Sequence, residues 1–355
     1  MDSKKYRVVS ISGEDKFDAL DKVLKETDFF GILNEHLKAS GKKKKDFSIV
    51  IKPNIMMCYK KQDPTVVYTD PGLVEHLIGK IAEKGFLKIS VVDAQNVFSN
   101  WFENRDVLTV AKYAGYSEKN YKIVDLTEEK VPYDYGGTSG EHYVGPTWRD
   151  ADFRISFAKN KTHFACYSTL AVKNIYGTSP EPNKFLEYHT KREYHTITVD
   201  ILKNFQVHFG IIDAFWSSDG IMGLKTDYTP KNTKTIIGGE NIIAVDMAAN
   251  KKMGLEPAAG NLLELAVKEF GKPEIEIIGD DSVYKDWDNV PPFIDKISDV
   301  MEELYSFSNF FGFLSSEMDT AKFPCKIEGP SIWRKIILKL RRFILRILML
   351  ISRFE

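Results

Sequence analysis

The feature that most constrains this chain is an alternation of short β-branched runs with helical stretches, sustained from Tyr6 to Ile278. Parallel strands cannot be joined by a tight turn, so each needs a crossover, usually a helix, before the next. The pattern therefore predicts an α/β fold, a mostly parallel sheet with helices on both faces. The predicted strands are Tyr6–Ser12, Phe47–Lys52, Lys88–Asp93, Lys122–Asp125, Phe153–Phe157, Phe209–Asp213, Thr235–Gly238 and Glu274–Ile278. Helices are predicted over 14–39, 70–85, 194–205, 240–253 and 260–270. The second opens with Thr69-Asp70-Pro71, an N-cap followed by proline in the first turn.

Several strands end in polar residues where the chain turns: Lys52-Pro53-Asn54, Asp93-Ala94-Gln95, Lys159-Asn160-Lys161 and Asp213. In open α/β sheets, ligands bind outside the carboxyl ends of strands, so a site is expected at these turns. From about Asp286 the alternation gives way to an aromatic, helix-like region (Tyr305, Phe307, Phe310, Phe311, Phe313). The expected division is an α/β part over 1–285 in one or two lobes, this aromatic region over 286–330, and a tail over 331–355.

The formal net charge of −1 hides an asymmetry. Residues 331–355 hold seven Lys/Arg and one acid, leaving 42 basic and 49 acidic residues in the remainder. An acidic body argues against nucleic-acid binding, which wants a basic face. Cys58, Cys166 and Cys325 lie far apart with no C-x-x-C pair, which argues against a disulfide framework and an iron–sulfur cluster. The N-terminus lacks an apolar run of signal-peptide length, so a cytoplasmic setting is expected.

The tail IWRKIILKLRRFILRILMLISRFE is amphipathic when projected at about 100° per residue. Lys335, Lys339, Arg342, Arg346 and Arg353 fall in an arc of roughly 60°, and Trp333, Ile336, Leu340, Phe343, Ile344 and Ile347 fill the opposite side. A spanning helix needs about 20 mostly uncharged residues, whereas the longest uncharged run is Ile347–Ser352. A core-packing helix is the alternative. The expectation is a helix on an anionic membrane surface, contacting lipid through Trp333, Lys335, Lys339, Arg342, Phe343 and Arg346. The protein would then be peripheral on the inner face of a membrane.

Four segments carry more chemistry than a fold needs. They are Lys52-Pro53-Asn54; Lys159-Asn160-Lys161-Thr162-His163; Lys173-Asn174-Ile175-Tyr176-Gly177; and the stretch from His195 and Asp200 to Asp213, Asp219-Gly220 and Gly223. Clustered lysines suit an anionic ligand, and His163 suits proton transfer. The glycines make neither the dinucleotide fingerprint G-x-G-x-x-G nor a P-loop. His189 and His195 with Asp200 offer donors for a divalent metal, at a spacing that matches no compact metal motif.

Taken together, Ile51-Lys52-Pro53-Asn54, Lys161-Thr162-His163, Ala171-Val172-Lys173-Asn174-Ile175-Tyr176-Gly177, His195 before Asp200, Ile212-Asp213-Ala214 and Ala244-Val245-Asp246 before Met253-Gly254 resemble the DUF362 family over roughly residues 45–280. The resemblance implies kinship with the α/β catalytic region of nickel-pincer lactate racemases and, in many members, a fused ferredoxin-like cluster domain. This chain departs from it in lacking cluster cysteines and in carrying Ile221-Met222-Gly223-Leu224 where a Gly-Pro is usual.

The resulting expectation is an enzyme acting on an anionic small molecule or lipid-linked head group. Lys52, Lys161 and Lys173 would hold the anion, Asn54, Asn174 and His195 would bind and orient the substrate, and His163 would be the general acid/base. Asp213 or Asp246 would serve as its carboxylate partner or as a metal ligand. A ligand-binding or scaffold protein recruited to the membrane is the rival, and a redox protein is a third reading.

Overall fold

The computed structural model describes residues 5–190, 194–220, 230–291, 293–294, 304–326 and 331–351. Among them the order of elements is β1 (Lys5–Ser12), α1 (Lys16–Glu26), α2 (Phe29–Ser40), β2 (Ser48–Pro53), α3 (Pro71–Glu83), β3 (Lys88–Asp93), α4 (Val107–Ala114), β4 (Lys122–Asp125), β5 (Val131–Asp134), β6 (Glu141–Val144), α5 (Pro146–Arg149), β7 (Phe153–His163), β8 (Tyr167–Thr169) and α6 (Ala171–Ile175). There follow α7 (Tyr194–Asn204), β9 (Phe209–Ser218), β10 (Pro230–Lys231), β11 (Thr235–Gly239), α8 (Ile242–Lys252), α9 (Asn261–Phe270), β12 (Glu274–Gly279), α10 (Tyr305–Ser315) and α11 (Ser331–Ile351).

The main sheet runs β12-β1-β11-β9-β7-β2-β3-β4. The run from β9 to β4 is parallel throughout, as is β1 with β12, whereas β11 is antiparallel to both its neighbours. The predicted mostly parallel α/β sheet is present. Alternation along each strand sorts its side chains to two faces. Ile49, Ile51, Ile155, Phe157 and Ile211 meet Leu20, Val23, Leu73 and Leu77 of α1 and α3 on one face. On the other, Val50 joins Val172, Ile197 and Ile243 of α6, α7 and α8.

The single helix expected over 14–39 is two. The chain breaks at Asp28, which is left-handed at φ 52 and caps α2 by accepting from the Gly31 amide. A Cβ at Gly31 would overlap that carboxylate, so the Asp–Gly spacing fixes the break. The other difference bears on the site. β7 continues past its predicted end at Phe157 to His163, with a register irregularity against β9 between Lys159 and Lys161. The extension carries Lys159–Thr162 beyond the strand's predicted end as buried strand, with His163 partly exposed at its tip.

The aromatic region packs onto the body. Phe313 of α10 stacks on Trp101 with ring centres 5.0 Å apart, and Phe313 and Phe323 lie in the same core as β2 and β3. No helix among the described residues is long and apolar enough to cross a membrane. The Ile221–Leu224 stretch and Arg353 lie outside the described residues.

Candidate functional site

The carboxyl ends of β2, β3, β7 and β9 converge on a buried polar network. Lys52 is fully enclosed and ion-pairs Asp93 at 3.0 Å, while its ammonium also donates to Pro53 O and to Asn174 Oδ1. Gly177 is required beside it, because a Cβ there would lie 2.8 Å from Lys52 Nζ. Asn174 accepts from Lys52 and Asn54 and donates to Lys52 O and Ser156 Oγ, so both its oxygen and its nitrogen are engaged. Asn54 in turn accepts from the Lys159 amide at 2.7 Å. Lys52, Asn54 and Asn174, the residues expected to face a ligand, form a clamp joining β2, β7 and α6. Three partners already saturate Lys52, which leaves it poorly suited to a second anion.

The two carboxylates expected beside His163 are held elsewhere. Asp213 sits on the α3 side of the sheet, pairing with Lys159 at 2.8 Å and accepting the backbone N–H of Asp70 at the start of α3. Asp246 projects from α8 to the start of α6, where its two oxygens accept the amides of Ala171 and Val172 at 2.7 and 2.8 Å. Burial raises its pKa to about 7 against those two hydrogen bonds. Both carboxylates are thus hydrogen-bonded to the starts of helices, Asp213 to that of α3 and Asp246 to that of α6. His163, partly exposed at the end of β7, stacks on Phe164 and accepts the Ala165 amide at Nδ1. Its neutral ring therefore keeps its proton on Nε2. His195 is buried in α7.

A second group of lysines differs in kind. Lys161 is only 2% exposed, and burial, with the Lys173 ammonium nearby, lowers its pKa to about 7. Lys173 on α6 is lowered by burial and by the Lys52 ammonium, and its own ammonium lies 4.1 Å from the centre of the Tyr176 ring. Lys184 is buried, donates to Gln95 O at 2.5 Å, and is lowered to about 7 chiefly by burial. Among the described residues no carboxylate ion-pairs Lys161 or Lys184. Each buried carboxylate in the network is already committed, to Lys52, to Lys159 or to the α6 amides. The excess is of positive charge. Lys184 was missed by the sequence reading, although Asn183-Lys184 repeats the Asn–Lys adjacency seen at Lys159-Asn160 and Lys173-Asn174.

Beside Gln95 opens a cleft of about 350 Å³, lined by Gln95, Ser99, Asn104, Arg105, Pro182 and Lys326. Among the described residues no cluster of three or more His, Cys, Asp or Glu is placed to hold a metal ion. Cys58, Cys166 and Cys325 are separate and buried, and none forms a disulfide.

The model for "Domain of unknown function (DUF362)" matches residues 49–251, more than half of the chain. The chain belongs to the DUF362 family. The matched region begins inside β2 and ends in α8, so it contains the clamp residues and Lys161, Lys173 and Lys184. Among solved structures, the chain is similar to the lactate racemase apoprotein from Thermoanaerobacterium thermosaccharolyticum, at 13% identity and a TM-score of 0.42, over 72% of this chain and 58% of that one. It is also similar to a protein from Thermotoga maritima, at 10% identity and a TM-score of 0.32, over 58% and 52% of the two chains. The chain thus spans little more than half the length of either. No curated protein matches it.

Beyond the DUF362 region, α10 and α11 pack together over the loops that follow β2 and β3. Arg105 is buried between Tyr59 and Phe323 and donates to Met56 O and Cys58 O; Tyr113 bonds Asp319 at 2.6 Å. Arg341 of α11 is buried and donates to Phe313 O and Ser316 O at the end of α10. Ile337, Leu338 and Ile344 turn to the core with it. Ile332, Trp333, Ile336, Leu340, Phe343 and Ile347 remain exposed, Trp333 by 59% and Phe343 by 61%. At about 100° per residue these six span an arc of about 100°, flanked by exposed Lys335, Lys339, Arg342 and Arg346. The apolar side read from sequence is thus divided: one edge docks on the protein and the rest faces out.

Proposed function

We propose that this DUF362 protein is a membrane-surface enzyme acting on an anionic small molecule or lipid-linked head group. Lys161, Lys173 and Lys184 hold the anion, and His163 acts as general acid/base through Nε2. The observation that carries this reading is that Lys161 and Lys184 are buried near the carboxyl end of a parallel sheet with no carboxylate ion pair among the described residues. Burying unpaired charge is expensive, and a bound anion is the simplest compensation; fixed cations would also stabilise charge developing during reaction.

The surface location rests on the exposed stripe of α11. A wide apolar strip bordered by four cations suits an interface with anionic lipid, where each juxtamembrane cation contributes about 1 kcal/mol. The same hairpin is packed on the loops after β2 and β3, so lipid bound there would lie close to the cleft beside Gln95. Flotation with vesicles of phosphatidylcholine alone, or mixed with phosphatidylserine, tests it. The protein should float with the anionic vesicles, and Trp333→Ser/Phe343→Ser should remain at the bottom. Equal flotation of the variant would refute the α11 reading.

A binding protein without turnover is favoured by one observation, that both carboxylates expected to support His163 are structural. Once a turnover assay exists, His163→Ala separates the readings: loss of turnover with binding retained supports the enzyme, and unchanged turnover removes His163 from the chemistry.

A further inference from the structure

The cleft beside Gln95 is walled by two distant parts of the chain. The loop after β3 supplies Gln95, Ser99, Asn100 and Asn104, and Lys326 comes from outside the DUF362 match. Backbone pairing fixes the two together: Phe102 bridges Cys325, the Glu103 amide donates to Pro324 O, and the Lys326 amide donates to Trp101 O. We propose that this cleft binds a phosphorylated polyol, its phosphate held by Lys326 against the charge of Arg105 and its hydroxyls by the amide and hydroxyl side chains of the loop. The inference rests on the anionic-ligand reading above and names the class of ligand.

The cations of the cleft lack an acid to neutralise them. Arg105 is 2% exposed and forms no ion pair among the described residues. Its guanidinium donates to Met56 O and Cys58 O, and its Nε is buried with no hydrogen-bond partner. Burial lowers its pKa to about 10, which leaves it charged at pH 7. A buried guanidinium without an acid is costly, and phosphate is an anion its planar donor set fits. Lys326 is exposed, and its ammonium is steadied at the cleft by Ser99 O at 2.9 Å. A third cation, Lys184, stands behind the wall and donates to Gln95 O. The acid in the lining, Asp106, is engaged as the N-cap of α4, accepting the Thr109 amide at 2.8 Å. It thereby places the positive end of that helix at the cleft.

The rest of the lining suits hydroxyls. Ser99, Asn100 and Asn104 can each donate and accept, as the hydroxyls of a polyol do. The Asn100 side chain is exposed and makes no hydrogen bond among the described residues. Gln95 is held rigid, because its Nε2 donates to Asp125 and Glu128. At about 350 Å³ the cleft lies at the small end of the range for small-molecule sites, about 300–1,000 Å³, with room for one sugar-sized group. A free sugar-alcohol phosphate and the head group of a phospholipid share this chemistry.

The test is isothermal titration of the full chain at pH 7 with myo-inositol 1-phosphate, inorganic phosphate and myo-inositol as probes. The phosphorylated polyol should bind about 10-fold more tightly than either part alone. Lys326→Gln should weaken it about 10-fold, the loss of one charged hydrogen bond, and Lys326→Arg should restore it. Lys326 is exposed, so both variants should melt with the wild type. Asn100→Ala should narrow the preference over inorganic phosphate. Flotation separates the two sources of ligand. A preference for phosphatidylinositol over phosphatidylserine vesicles that Lys326→Gln erases identifies a lipid head group, and binding of the free probe without that preference identifies a soluble ligand. A phosphorylated probe that binds no better than inorganic phosphate, or binds Lys326→Gln as it binds the wild type, would overturn the inference. The anion reading above fails separately, when inorganic phosphate leaves the melting temperature of the wild type unchanged.

Discussion

Replacing Lys161 by methionine should make the protein more stable and useless to its ligand. The amine is lowered from 10.5 to about 7 in the folded chain. Between those values the unfolded chain holds a proton that the native state does not. The native state therefore loses stability as pH falls from about 10.5 toward 7, and the loss is level below that. At pH 7 the difference amounts to ~4 kcal/mol, an upper bound for one group. Methionine matches the stem of lysine and removes the charge, so Lys161→Met should recover part of that amount. With an unfolding entropy of about 2.1 cal/mol/K per residue, 355 residues convert the full ~4 kcal/mol to about 5 °C in melting temperature. The assay is calorimetric unfolding at pH 7 and pH 10, with and without phosphate. The variant should melt higher than wild type at pH 7, gain little at pH 10, and ignore phosphate that stabilises wild type. A variant less stable at pH 7, or equally stabilised by phosphate, would refute the reasoning.

The clamp and the hairpin give opposite expectations, because there the polar groups are already satisfied. Asp246→Ala strips the acceptors from the Ala171 and Val172 amides and should cost about 2–3 kcal/mol in denaturant unfolding. Lys159→Met strands the buried Asp213 carboxylate and should cost about 3–5 kcal/mol, most of it recovered in the double variant Lys159→Met/Asp213→Leu. Arg341→Ala leaves the Phe313 and Ser316 carbonyls without their donor, so limited proteolysis should cut within the C-terminal hairpin first, before the sheet is lost.

Much of the architecture was legible because periodicity is a local property. The strands ending at Asp93 and Asp125 fall where the alternation puts them, as does the helix beginning at Pro71. The break at Asp28 was hidden because a left-handed aspartate followed by glycine reads as a continuous amphipathic run until the cap is seen. The continuation of β7 to His163 was hidden for a different reason. Lysines and asparagine look like loop, and only the pairing with β8 and β9 explains why they are strand. In the site, residue types were visible but their partners were not. Lys52, Lys159 and Lys161 look alike in sequence; two have a buried carboxylate in the fold and the third has none. That difference lies in contacts more than forty residues apart, which no local pattern encodes. The tail's amphipathicity was legible, whereas the division of its apolar side, with Ile344 and Arg341 turned inward, depends on α10.

The claim on which the rest depends is that Lys161 and Lys184 are buried amines that bind an anion. Carbon-13 NMR of protein labelled at lysine Cε, titrated from pH 6 to pH 11, reads their charge directly. The account predicts a small set of lysine resonances titrating well below the ordinary range, with that of Lys161 near 7, and a shift of that set to higher pH when phosphate is added. If every lysine titrates near its ordinary value, or the perturbed set ignores phosphate, the account is contradicted.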